Sequence, residues 1–135
     1  MDKLQAAINL ANQGNLDKTV AAFEGILQEN PRNIDALYNL GICFIALGKL
    51  NNAIAVLGRS LECDPRRANI HIALGDAYSL LDDLGNAKEH LVTALGIAID
   101  DQYALRKLGV VYGKLGEMAN SAYCLRKYKE LYLED

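Results

Sequence analysis

The sequence predicts an all-α protein built as a stack of helical hairpins, and three observations predict it. Shifted against itself by 34 residues, the chain places Gly41, Gly75 and Gly109 in one column, behind Leu40, Leu74 and Leu108 and ahead of Phe44, Tyr78 and Tyr112. Within a period, apolar residues return at helical spacing, as in Leu37, Leu40, Phe44 and Leu47, which share one helix face. The 135 residues are 51% hydrophobic and 23% charged, an average globular mix with enough apolar surface to outweigh the entropy of ordering. A fixed period of this size marks units that each bury a face against their neighbours.

The elements follow in order. Helices are predicted over 2–12, 16–29, 34–47, 50–63, 68–81, 84–98, 102–115 and 118–132. Together they form one domain, 1–135, with units 1–33 (degenerate), 34–67, 68–101 and 102–135. In the second unit Gly48 stops the first helix and Leu50 restarts the chain. Ala53, Leu57, Ser60 and Leu61 then set the face of the second helix. Asn30-Pro31 and Asp64-Pro65 end second helices, because proline disfavours helix at the residue before it. Gly14 and Gly116 share the column of Gly48, and Asp82 is its odd member. Leu16, Leu50, Leu84 and Met118 open the second helices, and Phe23, Leu57, Leu91 and Leu125 form a core column. Thr19 and Ser121 stand as small residues in the column of Ala53 and Ala87. Gly41, Gly75 and Gly109 lie mid-helix, where glycine costs about 1 kcal/mol relative to alanine. That cost at one register in three units implies close approach of the paired helices, with Ala53 and Ala87 as the matching small residues.

These columns resemble the tetratricopeptide repeat, W-x2-L-G-x2-Y, then A-x3-F, then P. The second unit reads Leu37-x2-Leu40-Gly41-x2-Phe44, Ala53-x3-Leu57, Pro65. The third reads His71-x2-Leu74-Gly75-x2-Tyr78, Ala87-x3-Leu91, with Ile99 in the proline column. The fourth reads Leu105-x2-Leu108-Gly109-x2-Tyr112, Ser121-x3-Leu125, with Leu133 in that column. The first keeps Thr19-x3-Phe23 and Pro31 behind Lys3, Ala6, Ala7 and Leu10. The resemblance covers the whole chain. It implies a right-handed superhelical solenoid whose first helices line a concave groove that holds a peptide or helix of another protein, in an adaptor, scaffold or assembly factor.

Carried over by register, the partner-binding groove is Leu4, Ile8, Tyr38, Asn39, Ile42, Ile45, Ile72, Asp76, Tyr103, Arg106, Val110 and Lys114. Its first half is apolar and its second half mixed, which suits the apolar face of an amphipathic helix. Arg106 and Lys114 could hold an acidic group at the far end. The carboxylate clamp known in the family keeps Asn39 here, but Leu4, Ile8, Asn69 and Ala73 occupy its other places, so that clamp is not expected. The last helix carries Leu125, Tyr128, Leu131 and Tyr132, with Glu134 and Asp135 opposing its dipole and no polar cap helix after it. This motivates an alternative: a self-assembling structural protein that uses its groove or final helix to homo-oligomerise.

Other classes are excluded. Net charge is −3, a poor match to nucleic acid, although residues 68–101 carry six acids against one base and 102–135 six bases against four acids. No apolar run approaches the roughly 20 residues of a membrane span, and the N-terminus lacks a signal-peptide pattern. The three cysteines, Cys43, Cys63 and Cys124, have no CxxC spacing and read as free thiols of a reducing, cytoplasmic setting. His71 and His90 read as packed or surface residues on different helices, not metal ligands. Gly109 to Lys114 fails as a phosphate loop on spacing and on lying inside a helix. Asp82-Asp83 and Asp100-Asp101 read as solvated turns. No nucleophile with a base is placed, so no enzyme, cofactor or metal is expected.

Overall fold

The computed structural model describes residues 2–133, and within them the chain forms eight α-helices and no strand. They are α1 (Lys3–Asn12), α2 (Leu16–Glu29), α3 (Ile34–Ala46), α4 (Leu50–Cys63), α5 (Ala68–Leu80), α6 (Leu84–Ile97), α7 (Gln102–Lys114) and α8 (Met118–Tyr132). Every predicted helix is present, with ends displaced by no more than one residue.

Local chemistry sets these boundaries. Gly14, Gly48 and Gly116 have φ of +80°, +75° and +80°, the left-handed conformation that closes a helix, and Asp82 takes the same place at +63°. After α3 the Gly48 N–H donates to the Ile45 carbonyl at 3.0 Å and the Lys49 N–H to the Phe44 carbonyl at 2.8 Å. The same pair of bonds closes α5 through Asp82 and Asp83, and α7 through Gly116 and Glu117. Second helices end differently. Asn30 and Asp64, each before a proline, leave the helical region with ψ of 89° and 100°. Ala98 does so with ψ 87° and no proline after it, so Ile99 can stand in the proline column. Side chains of Asp2, Asn15, Asn33, Asp83 and Asp101 accept backbone N–H bonds at helix starts.

The helices fall into two compact units, Met1–Pro65 and Arg66–Asp135. In the first, α1 packs on α2, α2 on α3 and α3 on α4, and the first helices α1 and α3 also touch. The second repeats this with α5 to α8, where α5 touches α7. First helices therefore line one side of each unit. Phe23, Leu37 and Leu57 are fully buried in the first unit, and Leu91 and Leu105 in the second. Leu91 joins Ala87, Leu108, Val111 and Cys124 in one cluster, with Tyr78, Leu84, Leu95 and Tyr112 packed against it.

The mid-helix glycines mark close approach, and a side chain there would meet the leucine of the second helix before its small residue. A Cβ on Gly41 would lie 2.5 Å from Leu57 Cγ, one on Gly75 2.6 Å from Leu91 Cγ, and one on Gly109 2.6 Å from Leu125 Cδ2. The leucine four residues after the Ala53 and Ala87 column fills the space, because its branched end reaches further than an alanine methyl. The buried hydroxyls are satisfied: Thr19 Oγ1 donates to the Asn15 carbonyl at 2.7 Å and Ser121 Oγ to the Gly109 carbonyl at 2.7 Å.

Candidate protein-interaction faces

In the first unit, Leu4 and Ile8 on α1 and Tyr38, Asn39 and Ile45 on α3 are half-buried, while Ile42 is 39% exposed. The four on α3 share it with Ala36, Leu37, Leu40 and Phe44, which are buried. The register that buries one α3 stripe leaves Tyr38, Ile42 and Ile45 on another, at i, i+4 and i+7. Asn39 Nδ2 donates to the Asp35 carbonyl at 2.8 Å, so its amide is engaged along its own helix.

In the second unit, Ile72 and Asp76 on α5 are half-buried. On α7, Tyr103 is 54% and Val110 46% exposed, and Arg106 and Lys114 are exposed as well. The structure gathers Asp76, Arg106 and Val110, with Gly75, Ser79 and Lys107, around one recess of about 240 Å³. Lys107 Nζ spans from α7 to the Asp76 carboxylate at 2.9 Å, an ion pair the sequence reading missed. The first unit also has a cleft that the reading did not foresee, about 440 Å³, on the second-helix side, lined by Leu27, Leu40, Phe44, Val56 and Arg59 among others.

The polar residues set aside above have definite places. Asp83 and Asp101 cap α6 and α7. Asp100 pairs with Lys127 at 3.4 Å, and its carbonyl accepts the Tyr132 hydroxyl. His71 is buried and His90 half-buried, and they meet, Nδ1 to Nδ1 at 3.2 Å, with Tyr78 stacked on His90 at 5.6 Å between centroids. The repeat carried the signal for this contact. One period away the same two positions hold Leu37 and Val56, or Leu105 and Cys124, all buried. Burial pushes the Cys43 and Cys124 thiols up, keeping them protonated. All three cysteines are free. Among the described residues no three His, Cys, Asp or Glu side chains gather as a metal site, and no helix is long and apolar enough to cross a membrane. Glu134 and Asp135 lie outside the described residues.

Paired helices repeated every 34 residues, with first helices on one side of each unit, define an all-α helical-repeat solenoid. A family model described as tetratricopeptide repeat matches residues 10–77, and a second matches 68–99. The general transcriptional corepressor ssn6 of Schizosaccharomyces pombe is 31% identical over 86% of this chain, which spans 12% of that protein. The BBSome complex member BBS4 homolog of Drosophila melanogaster is 24% identical over 87% of the chain, 24% of its own length. The chain thus spans under a quarter of the length of both these relatives. Among solved structures, MamA superposes with a TM-score of 0.89 and 26% identity over 98% of this chain and 75% of its own. A thermophilic TPR protein of Thermus thermophilus gives 0.83 and 26% over 96% and 73%. The chain belongs to the tetratricopeptide repeat family, and its class is that of protein–protein interaction modules.

Proposed function

We propose that this chain is a non-catalytic adaptor or assembly factor, one domain over 1–135, that holds an amphipathic helical segment of another protein against its first helices. The observation that carries the reading is the exposure of Ile42, Tyr103 and Val110 on helices whose opposite stripes are sealed in the core. Large apolar side chains left open on the first-helix face of each unit, with Tyr103 and Val110 at i and i+7 on α7, are the anchors such a partner needs. Leu4, Ile8, Tyr38 and Ile45 extend the apolar surface of the first unit. The free thiols support a reducing, cytoplasmic setting. Capture needs only burial of a few anchors on a preformed surface, where rigidity lowers the ordering cost.

The test is fluorescence anisotropy with blocked, leucine-faced amphipathic helical peptides. Tyr38→Ala or Ile45→Ala is expected to weaken binding about tenfold, the scale of an interface anchor, with an unchanged far-UV circular dichroism spectrum. Loss of helical signal in these variants would instead assign them to the core. A second reading, self-association through α8, is favoured by one observation. Leu125 is 39% exposed, whereas its period-mates Leu57 and Leu91 are fully buried.

A further inference from the structure

We propose that the α5–α7 face of the second unit reads acidic residues: its partner helix carries two carboxylate side chains about two turns apart, flanking an apolar residue. This rests on the reading above and adds the partner's chemistry. Arg106 and Lys114 are exposed on α7 and make no hydrogen bond or ion pair among the described residues. No described acid pairs with them, and several are committed elsewhere. Asp76 is held by Lys107 at 2.9 Å, Glu117 by Lys88 at 3.1 Å and Asp100 by Lys127 at 3.4 Å. Asp83 and Asp101 accept N–H bonds at helix starts. The face therefore keeps two uncompensated positive charges although residues 68–101 carry six acids against one base.

Geometry sets the spacing. Eight residues of helix separate the two cations, a rise of about 12 Å at about 1.5 Å per residue. Tyr103 lies just N-terminal to Arg106, and Val110 lies between the two cations, offering an aromatic and an aliphatic contact. Arg106 and Val110 border the recess of about 240 Å³ whose wall includes the Lys107–Asp76 pair. A carboxylate entering there meets a guanidinium that can bind it in two-pronged fashion. The Lys107–Asp76 pair holds Asp76 neutralised, so it does not repel the incoming acid.

The test uses the full chain and two blocked amphipathic helical peptides. Both carry leucines on one face; one has glutamates two turns apart and its twin has glutamines there. The glutamate peptide is expected to bind about tenfold or more tightly than the twin, the loss typical of a hydrogen bond to a charged group, and to weaken as salt rises. Arg106→Gln should erase the difference, and Arg106→Glu should reverse it toward a lysine-bearing peptide. Arg106 is exposed, so these variants keep the native circular dichroism. Equal binding of both peptides, or discrimination that survives Arg106→Gln, overturns the proposal. If both bind equally and Ile42→Asp abolishes binding, the apolar-face reading stands without it. If neither binds the native chain at millimolar concentration, both readings fall.

Discussion

Gly75 and Gly109 occupy the same place in successive hairpins, yet a methyl group added to each should act differently. At Gly75 the new Cβ would meet Leu91 Cγ at 2.6 Å and Cδ2 at 2.9 Å, and Leu91 is fully buried with nowhere to move. At Gly109 it would meet Leu125 at 2.6 and 2.7 Å, but Leu125 is half-open and can swing outward. Alanine also gains about 1 kcal/mol of helix propensity over glycine at either position. Overpacking a closed core costs about 1–3 kcal/mol, so Gly75→Ala is expected to destabilise and Gly109→Ala to be neutral or mildly stabilising. Urea titrations of the two variants read the contrast directly. The glycine column was legible in the sequence. Its partner was not, because the period shows which residues are equivalent and not how far each side chain reaches.

The α5–α6 hairpin is the element that departs most from its neighbours. Where the α3–α4 hairpin buries Leu37 and Val56 and the α7–α8 hairpin Leu105 and Cys124, it holds His71 against His90. The His90 imidazole is held below its ordinary 6.5, first by burial and then by the adjacent His71, with Glu89 pulling the other way. The unfolded chain then binds more protons than the folded one once pH drops through 6.5. Stability conferred by the uncharged His90 is thus present above that pH and lost as the medium acidifies through it. Urea midpoints measured from about pH 8 to about pH 5 should fall, and His90→Val, the residue of the preceding hairpin, should flatten that slope. Helix boundaries were legible to within a residue, because glycine, proline and capping residues fix the backbone locally. Asp82 is the instructive case. It fills a glycine place with φ of +63°, tolerated because Asp is among the residues that adopt the left-handed region most readily.

On the scale of the molecule, the repeat architecture was readable from spacing and the family from the resemblance of the repeat columns to a known motif, whereas the candidate faces were readable only as register. Which members stay open depends on packing: Ile42 is exposed where Tyr38 is half-buried, one turn apart. The pairing of Lys107 with Asp76 joins residues 31 apart, a distance that no single motif spans. Self-association has its own test at this scale. If α8 is the contact between copies, light scattering across a concentration series should give more than the 14.8 kDa of one chain, and Leu131→Glu, on an exposed part of α8, should return it to that mass. A native mass of one chain at every concentration removes the reading. The openness of Leu125 also has a mechanical meaning. Helices α2 and α6 are each clasped by a helix before and a helix after, whereas within the second unit α8 is clasped by α7 alone. Where cohesion is summed rung by rung, a helix clasped on one side parts from its neighbour more readily than one clasped on both, so α6 is the harder helix of the two to free.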